Sequence, residues 1–166
     1  MLRAILLLPV NAAIVIPAAI LWATGEGGSA RYLAVPADLR FWPAALLVAA
    51  GLVLAVWAVR LFATKGEGTP APWEPPRRLV MVGPYRHVRN PMIASMIAIL
   101  LGEALFLASL PLLAWAGVFI LANLLYIPLF EEPRLEHRFG EDYRRYRRHV
   151  PRWVPRLSAW RDAIER

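Results

Sequence analysis

The sequence predicts an all-α, polytopic membrane protein with four transmembrane helices, a cytoplasmic re-entrant-like loop and a C-terminal amphipathic helix. Three observations favour this class. The chain of 166 residues is 58% hydrophobic and has a mean hydropathy of +0.46, although its formal charge is +7. Its hydrophobic residues fall into long blocks, and almost all of its Lys and Arg residues lie outside those blocks. This pattern is typical of membrane helices rather than of a soluble basic protein.

Four apolar blocks each approach the ~20 residues that a helix needs to cross a ~30 Å hydrocarbon core. They are residues 5–23, 43–63, 91–108 and 111–130. The last two come from one apolar stretch, which the Ser and Pro of "LASLP" are expected to divide by a tight turn. No small-x-small cleavage site clearly follows the first block, so we expect a retained helix rather than a cleaved signal peptide.

The distribution of basic residues predicts the orientation. One Lys or Arg precedes the first block, two lie in the first loop, five in the second, none in the third and ten after Phe130. The positive-inside rule therefore places the second loop and the tail in the cytoplasm, and four crossings then place the N-terminus there as well. Attraction to anionic lipid is a secondary role of these charges. We do not expect a nucleic-acid partner, because no interleaved aromatic and basic motif is present.

A chain of this length is expected to form a single membrane domain, 1–166. We divide it into helices 1 and 2 (1–63), a cytoplasmic loop (64–90), a helical hairpin (91–130) and a cytoplasmic tail (131–166). Residues 64–76 contain two Gly and four Pro, so turns and extended pieces are expected there, either as a linker or as part of a functional loop. The chain has no cysteine, which excludes disulfides and thiolate chemistry. Its three widely spaced histidines indicate no metal site.

The tail contains an apolar stripe at helical spacing. Leu135, Phe139, Tyr143, Tyr146 and Val150 recur every three or four residues, and most arginines lie off this stripe. The pattern predicts a basic amphipathic helix lying against the membrane headgroups. A glycine at position 140 is expected to divide the helix.

One candidate ligand site lies at the predicted start of the third helix. Asn90 is expected to be its N-cap and Pro91 its first residue, which leaves free N–H groups and the positive end of the helix dipole beside Arg86 and Arg89. Such an end can receive a carboxylate or a phosphate, although it could equally serve structure alone.

A pair of carboxylates, Glu131 and Glu132, follows the fourth block and opposes the dipole of that helix. They could hold a ligand, begin the tail helix, or pair with Arg86, Arg89 or Arg134. If the last two blocks form a hairpin, both sites lie at one membrane level. A zwitterionic ligand with an aromatic part would suit them, and S-adenosylmethionine is one example.

The segments "LVMVGPYRHVRNPM" and "EEPRLEHRFGEDYRRYRRHVPRWVPR", separated by about forty apolar residues, resemble the C-terminal signature of the integral-membrane methyltransferases. These are the isoprenylcysteine carboxyl methyltransferase and phospholipid methyltransferase families and their bacterial relatives. The resemblance implies an all-helical pocket for S-adenosylmethionine, whose product is S-adenosylhomocysteine. The sequence contains no G-x-G-x-x-G motif, which agrees with a pocket that is not a Rossmann fold. It also implies a multi-pass protein of the bacterial inner membrane with a membrane-lipid partner and a hydrophobic small-molecule or lipid acceptor.

The same resemblance implies roles for particular residues. Four residues would border the cofactor: Arg78, Leu79, Val80 and Tyr85. Five would bind its amino-acid end: Arg89, Asn90, Pro91, Met92 and Ile93. Glu131 would hold another polar part of it. Glu132 and Tyr126 are candidate substrate contacts, and no residue is assigned as catalytic.

Two departures from the family pattern leave the acceptor open. Asn90 stands where the carboxyl methyltransferases carry a His, and Ile127 stands where they carry an Arg thought to meet the substrate carboxylate. A lipid amine, a thiol, a carboxylate or a phenol are all possible acceptors. Two alternative functions also stay open: a nicotinamide-dependent membrane reductase, and a non-catalytic scaffold of the same fold.

Overall fold

A computed structural model of the protein describes residues 9–26, 33–66 and 78–160. Within these ranges the chain forms five main helices, a short 3-10 turn at Gly83–Arg86, and no strand. The helices are α1 (Asn11–Ala23), α2 (Phe41–Gly66), α3 (Pro91–Phe106), α4 (Leu110–Tyr126) and α5 (Glu132–His149). A π-helical segment, Ile127–Glu131, joins α4 to α5 without a break. The predicted all-α class is confirmed.

Two of the helices are long and apolar enough to cross a membrane. They are Phe41–Gly66 and the continuous helix Leu110–His149, whose apolar part ends at Phe130. Two other apolar helices, Asn11–Ala23 and Pro91–Phe106, are shorter than a full crossing. The lengths therefore support a membrane protein, but they do not by themselves give the predicted four crossings. The first four residues of the predicted block 5–23 lie outside the described residues.

The predicted turn between the last two apolar blocks is confirmed. α3 ends at Phe106 and α4 begins at Leu110. Ala108 adopts a left-handed conformation with φ 47°, and the Ser109 side chain accepts a hydrogen bond from the Leu112 N–H at 3.3 Å. A Ser N-cap followed by Pro is a local helix-start signal, which is why the sequence locates this turn well.

α2 and α3 pack closely because small residues line their contact. Ala44, Gly51 and Ala58 recur every seventh position of α2 and are all buried. A Cβ atom on Gly51 would lie 2.8 Å from the Ser95 carbonyl oxygen, so the two backbones approach each other at this point. Close contact of this kind is typical of helix pairs in membranes. It places the start of α3 beside the end of α2.

The apolar stripe of α5 is buried inside the protein. Tyr143, Tyr146 and Val150 are each at most 2% exposed and form a cluster with Trp160. Four partly buried apolar side chains pack against this cluster: Leu79, Met81, Leu135 and Phe139. The prediction that the stripe lies on membrane headgroups is therefore wrong. Periodicity shows that a helix face is covered, but not whether lipid or protein covers it.

Gly140 divides α5 as predicted, with φ 55° and ψ −126° inside the helix. Most of the Pro-rich segment 64–76 lies outside the described residues, so the choice between linker and functional loop stays open. The division of the domain into four parts likewise stays a prediction.

Candidate functional site

The start of α3 has the predicted backbone, but the Asn90 side chain does not make the predicted hydrogen bond to it. Asn90 occupies the N-cap position and Pro91 is the first helical residue. However, the Asn90 side chain does not cap the helix, because its amide nitrogen donates to the Arg152 carbonyl at 3.3 Å. The backbone N–H groups of Met92 and Ile93 consequently have no acceptor among the described residues. These N–H groups lie at the positive end of the helix dipole and are available to an anion.

A buried carboxylate lies between two arginines beside this helix start. Glu132 is only 4% exposed. Its Oε1 is 2.8 Å from Arg89 Nη1 and 2.7 Å from Arg152 Nε, and its Oε2 is 2.8 Å from Arg152 Nη2. Of the alternatives that the sequence left open, pairing with Arg89 is therefore confirmed for Glu132. The two arginines compensate the charge that burial would otherwise penalise.

The neighbouring carboxylate, Glu131, differs in its contacts. It is partly buried and forms no hydrogen bond or ion pair with any residue that the structure describes. It ends the π-helical segment Ile127–Glu131, a wider turn of a type that is frequent at functional sites. Its charge acts on the hydroxyl groups of Tyr85 and Tyr143. Glu131 therefore lies within electrostatic range of Tyr85, and its carboxylate is available to bind a cation or a hydroxyl group.

Tyr85 brings a buried hydroxyl group to the same place. The residue is 5% exposed, its ring packs edge-on against Phe62 at 5.5 Å, and its hydroxyl finds no partner in the described part of the chain. Burial raises the Tyr85 pKa well above its usual range, and the nearby Tyr146 and Glu131 raise it further. Tyr85 therefore stays a neutral phenol that can donate a hydrogen bond. An unpartnered buried hydroxyl is available to a ligand or a water molecule.

The family model of phospholipid methyltransferases matches residues 39–142, which are 104 of the 166 residues. The chain belongs to the phospholipid methyltransferase family. This confirms the resemblance seen in the sequence and assigns the protein to a family of membrane methyltransferases. An uncharacterized protein from Haemophilus influenzae is 43% identical over 67 residues, which cover 38% of this chain and 100% of that protein. No solved structure matches the chain.

The matched region of this phospholipid methyltransferase family member contains all the residues predicted to bind cofactor or substrate, and the structure brings some of them together. Val80 and Tyr85 share a buried cluster with Ala58, against which Met92 packs. Arg89 and buried Pro91 lie beside them at the start of α3, and Ile93 follows half-buried in its first turn.

Other predicted residues lie elsewhere. Leu79 packs against the cluster of α5, whereas Val80 belongs to the cluster that contains Tyr85. Arg78 is exposed, and its backbone N–H donates to the Gly66 carbonyl at 3.2 Å. Tyr126 is 39% exposed and stacks on Phe130 with ring centroids 5.8 Å apart. The proposed ligand roles of all these residues stay predictions.

Sequence reasoning missed the contribution of the C-terminal strap, which we define as residues 151–160. No role is predicted for Arg152 from the sequence, yet this residue holds Glu132 through two hydrogen bonds. The strap runs along residues 86–90, to which four hydrogen bonds attach it besides the one from Asn90 to the Arg152 carbonyl. These are Arg89 N–H to Pro151 O (2.9 Å), Arg156 N–H to His87 O (3.0 Å), Trp160 N–H to Arg86 O (3.0 Å), and a contact between His87 Nδ1 and Arg156 O (2.8 Å). The two prolines that flank Arg152 were the available signal, because they fix an ordered, non-helical backbone.

Proposed function

We propose that the protein transfers a methyl group from S-adenosylmethionine to a hydrophobic or membrane-embedded acceptor at the cytoplasmic face of the membrane. One observation carries this proposal. Two uncapped N–H groups at the start of α3 lie beside polar groups that lack a partner among the described residues, namely the Tyr85 hydroxyl, the Arg89 Nε and the Glu131 carboxylate. Such a set of groups suits a ligand that is both anionic and cationic.

The donor set fits S-adenosylmethionine on chemical grounds. Met92 and Ile93 would receive the cofactor carboxylate through their N–H groups, where the helix dipole favours negative charge. Glu131 would hold the ammonium group or a ribose hydroxyl, and the Tyr85 phenol would donate to a further polar atom. When bound, the cofactor supplies an electrophilic methyl carbon on a sulfonium leaving group. The protein would contribute orientation of the reactants and exclusion of water.

Neither buried tyrosine near the site is suited to act as a general base. Burial raises the Tyr143 pKa to about 12, and the Tyr85 pKa is also well above its usual range. Both side chains therefore stay protonated at physiological pH. A neutral amine, a thiolate or a carboxylate needs no base in place, so these acceptors agree better with the site than a phenol does.

We also propose four membrane crossings with both termini in the cytoplasm. Many apolar side chains on α2 and α4 are exposed, among them Leu46 (69%), Val53 (67%), Leu121 (61%) and Leu125 (62%). Apolar surfaces this extensive are unusual in soluble monomers, and a bilayer would cover them. The shorter α1 and α3 would cross beside them, with the positive-inside rule setting the direction.

Isothermal calorimetry on the purified protein in detergent tests the cofactor. We expect saturable binding of S-adenosylmethionine, no binding of NADPH, and binding about tenfold weaker in Glu131→Gln, because a charge-assisted contact contributes about 1.5 kcal/mol. Saturable NADPH binding alone would support the reductase instead. If the protein bound neither S-adenosylmethionine nor NADPH, the result would support a non-catalytic scaffold. To identify the acceptor, membrane extracts would be incubated with the protein and deuterated-methyl cofactor, then analysed by mass spectrometry for a labelled lipid or small molecule.

A further inference from the structure

The arginines of α5 fall into two groups that differ in their partners. Beyond Gly140, the exposed or partly exposed arginines are engaged with acidic side chains of the same helix. The pairs are Arg144 with Glu141 (3.1 Å), Arg145 with Asp142 (2.9 Å), Arg147 with Glu136 (3.0 Å) and Arg148 with Glu141 (2.9 Å). Their charges are therefore largely compensated within the helix.

Arg134 and Arg138, before Gly140, are not compensated in this way. Both side chains are exposed, and neither forms an ion pair with any residue in the described ranges. The Arg138 guanidinium lies 5.6 Å from the centre of the Phe139 ring. The neighbouring Glu136 is already engaged by Arg147. The two arginines are four positions apart, so both lie on one face of the helix.

Their position along the chain places them at headgroup level. α5 continues α4 without a break, and the exposed Leu129 (61%) and Phe130 (53%) end the apolar part of that helix. At 1.5 Å per residue, Arg134 lies roughly 6 Å and Arg138 roughly 12 Å beyond Phe130 along the helix path. The polar layer on each side of a bilayer is about 5–8 Å thick, so Arg134 lies within it, and the long Arg138 side chain can reach it from a few ångströms beyond its outer edge.

We infer that Arg134 and Arg138 form a docking surface for the phosphate groups of anionic phospholipids in the bilayer. This inference rests on the membrane placement proposed above, but not on the identity of the cofactor. The apolar stripe of α5 is buried within the protein and cannot insert into lipid. The contact of α5 with the bilayer would therefore depend on the charges of its arginines. Basic side chains near an anionic surface contribute about 1 kcal/mol each, which corresponds to about ten- to thirtyfold in affinity for the pair.

Native mass spectrometry of the purified full chain in detergent tests this surface. The protein is titrated with phosphatidylglycerol and, separately, with phosphatidylcholine. The variant Arg134→Gln/Arg138→Gln should bind phosphatidylglycerol about ten- to thirtyfold more weakly than the wild type, and phosphatidylcholine equally. The matched variant Arg147→Gln/Arg148→Gln removes the same two charges and should keep phosphatidylglycerol affinity within about threefold, since its arginines are already paired. The charge-retaining variant Arg134→Lys/Arg138→Lys should behave as the wild type.

Two results would overturn the inference: equal loss in both Gln variants, which indicates net charge alone, or wild-type phosphatidylglycerol binding in Arg134→Gln/Arg138→Gln. Calorimetry with S-adenosylmethionine on the same variants separates this idea from the proposed function. Cofactor affinity should be unchanged in Arg134→Gln/Arg138→Gln. If the wild type bound no cofactor but still selected phosphatidylglycerol through these residues, the proposed methyl transfer would be contradicted and the inferred lipid surface would be supported.

Discussion

At the scale of single residues, two adjacent glutamates have different structural roles. Glu132 is buried between Arg89 and Arg152, whereas Glu131 has no hydrogen-bond or ion-pair partner in the described part of the chain. A carboxylate held by two arginines stabilises the fold, and removing it leaves a buried guanidinium without its counter-charge. A partly buried carboxylate without a partner does not stabilise the fold, because burial raises the pKa of Glu131 and penalises its charged form, and it is available to a ligand. The two residues therefore allow fold and binding to be separated by mutation.

We predict that Glu132→Gln lowers the free energy of unfolding by about 3–5 kcal/mol, because Arg89 stays buried without an ionic partner. Glu131→Gln should leave it unchanged or raise it by up to about 1 kcal/mol, because the burial cost of an unpaired charge is removed. Thermal and denaturant unfolding of both variants in the same detergent measures the difference. A loss of stability in Glu131→Gln as large as that in Glu132→Gln would contradict this division of roles.

The Tyr85 hydroxyl gives a second prediction at this scale. Because it is buried without a partner in the described ranges, Tyr85→Phe should leave the ligand-free protein equally stable or more stable by up to about 1–3 kcal/mol. The same change should weaken S-adenosylmethionine binding by about threefold to tenfold, the value of one hydrogen bond. Tyr146→Phe is the matched control.

The Tyr146 hydroxyl donates to the Tyr85 carbonyl at 2.7 Å, so Tyr146→Phe removes a bond that is made. We expect this control to lower stability by about 1–3 kcal/mol. Unfolding curves and calorimetry on both variants distinguish the cases. A clear loss of stability in ligand-free Tyr85→Phe would show that its hydroxyl has a structural partner.

At the scale of elements, the sequence located the features that depend on neighbouring residues. Pro91 begins α3, Ser109 caps α4 and Gly140 divides α5, and each is a local signal. The pairing of Glu132 with Arg152, twenty residues away, depends on the fold of the strap, and no local pattern encodes it. The use of the Asn90 side chain likewise depends on Arg152, which is 62 residues further along the chain. The periodic stripe of α5 likewise predicted a covered helix face correctly. It did not reveal that protein rather than membrane covers this face, because that depends on distant parts of the chain.

The division of α5 at Gly140 gives an element-scale prediction. A φ of 55° with a ψ of −126° is a conformation that essentially only glycine adopts. The bend allows Arg147 to lie 3.0 Å from Glu136, eleven residues earlier, whereas a straight helix would separate them by about 16 Å along its axis. Gly140→Ala should therefore lower the free energy of unfolding by about 1–3 kcal/mol through backbone strain.

Gly117→Ala in the middle of α4 is the control for this prediction. A Cβ atom at either position would meet nothing within 4 Å, so packing does not differ between the two substitutions. Gly117 has helical neighbours on both sides, and alanine there should stabilise α4 by about 0.5–1 kcal/mol. Thermal unfolding compares the two. Equal effects of the two substitutions would exclude a specific strain at Gly140.

At the scale of the whole molecule, the candidate site is assembled from three distant parts of the chain. Tyr85 and the start of α3 come from the central segment, Glu131 and Glu132 from the end of the membrane helices, and Arg152 from the strap. The family match ends at residue 142, so the strap lies beyond it. All three parts must lie on one side of the membrane for the site to exist. The topology of the chain is thus a test of the site itself.

Because the chain contains no cysteine, single introduced thiols report this topology without background. We predict that Leu39→Cys, at a position 95% exposed between α1 and α2, reacts with a membrane-impermeant maleimide on intact cells. Lys65→Cys at the end of α2 and Ser158→Cys in the strap, both exposed, should react only after permeabilisation. Labelling of Leu39→Cys and Lys65→Cys from the same side would show that α2 does not cross. Labelling of Lys65→Cys and Ser158→Cys from opposite sides would separate the start of α3 from the strap and rule out a site between them.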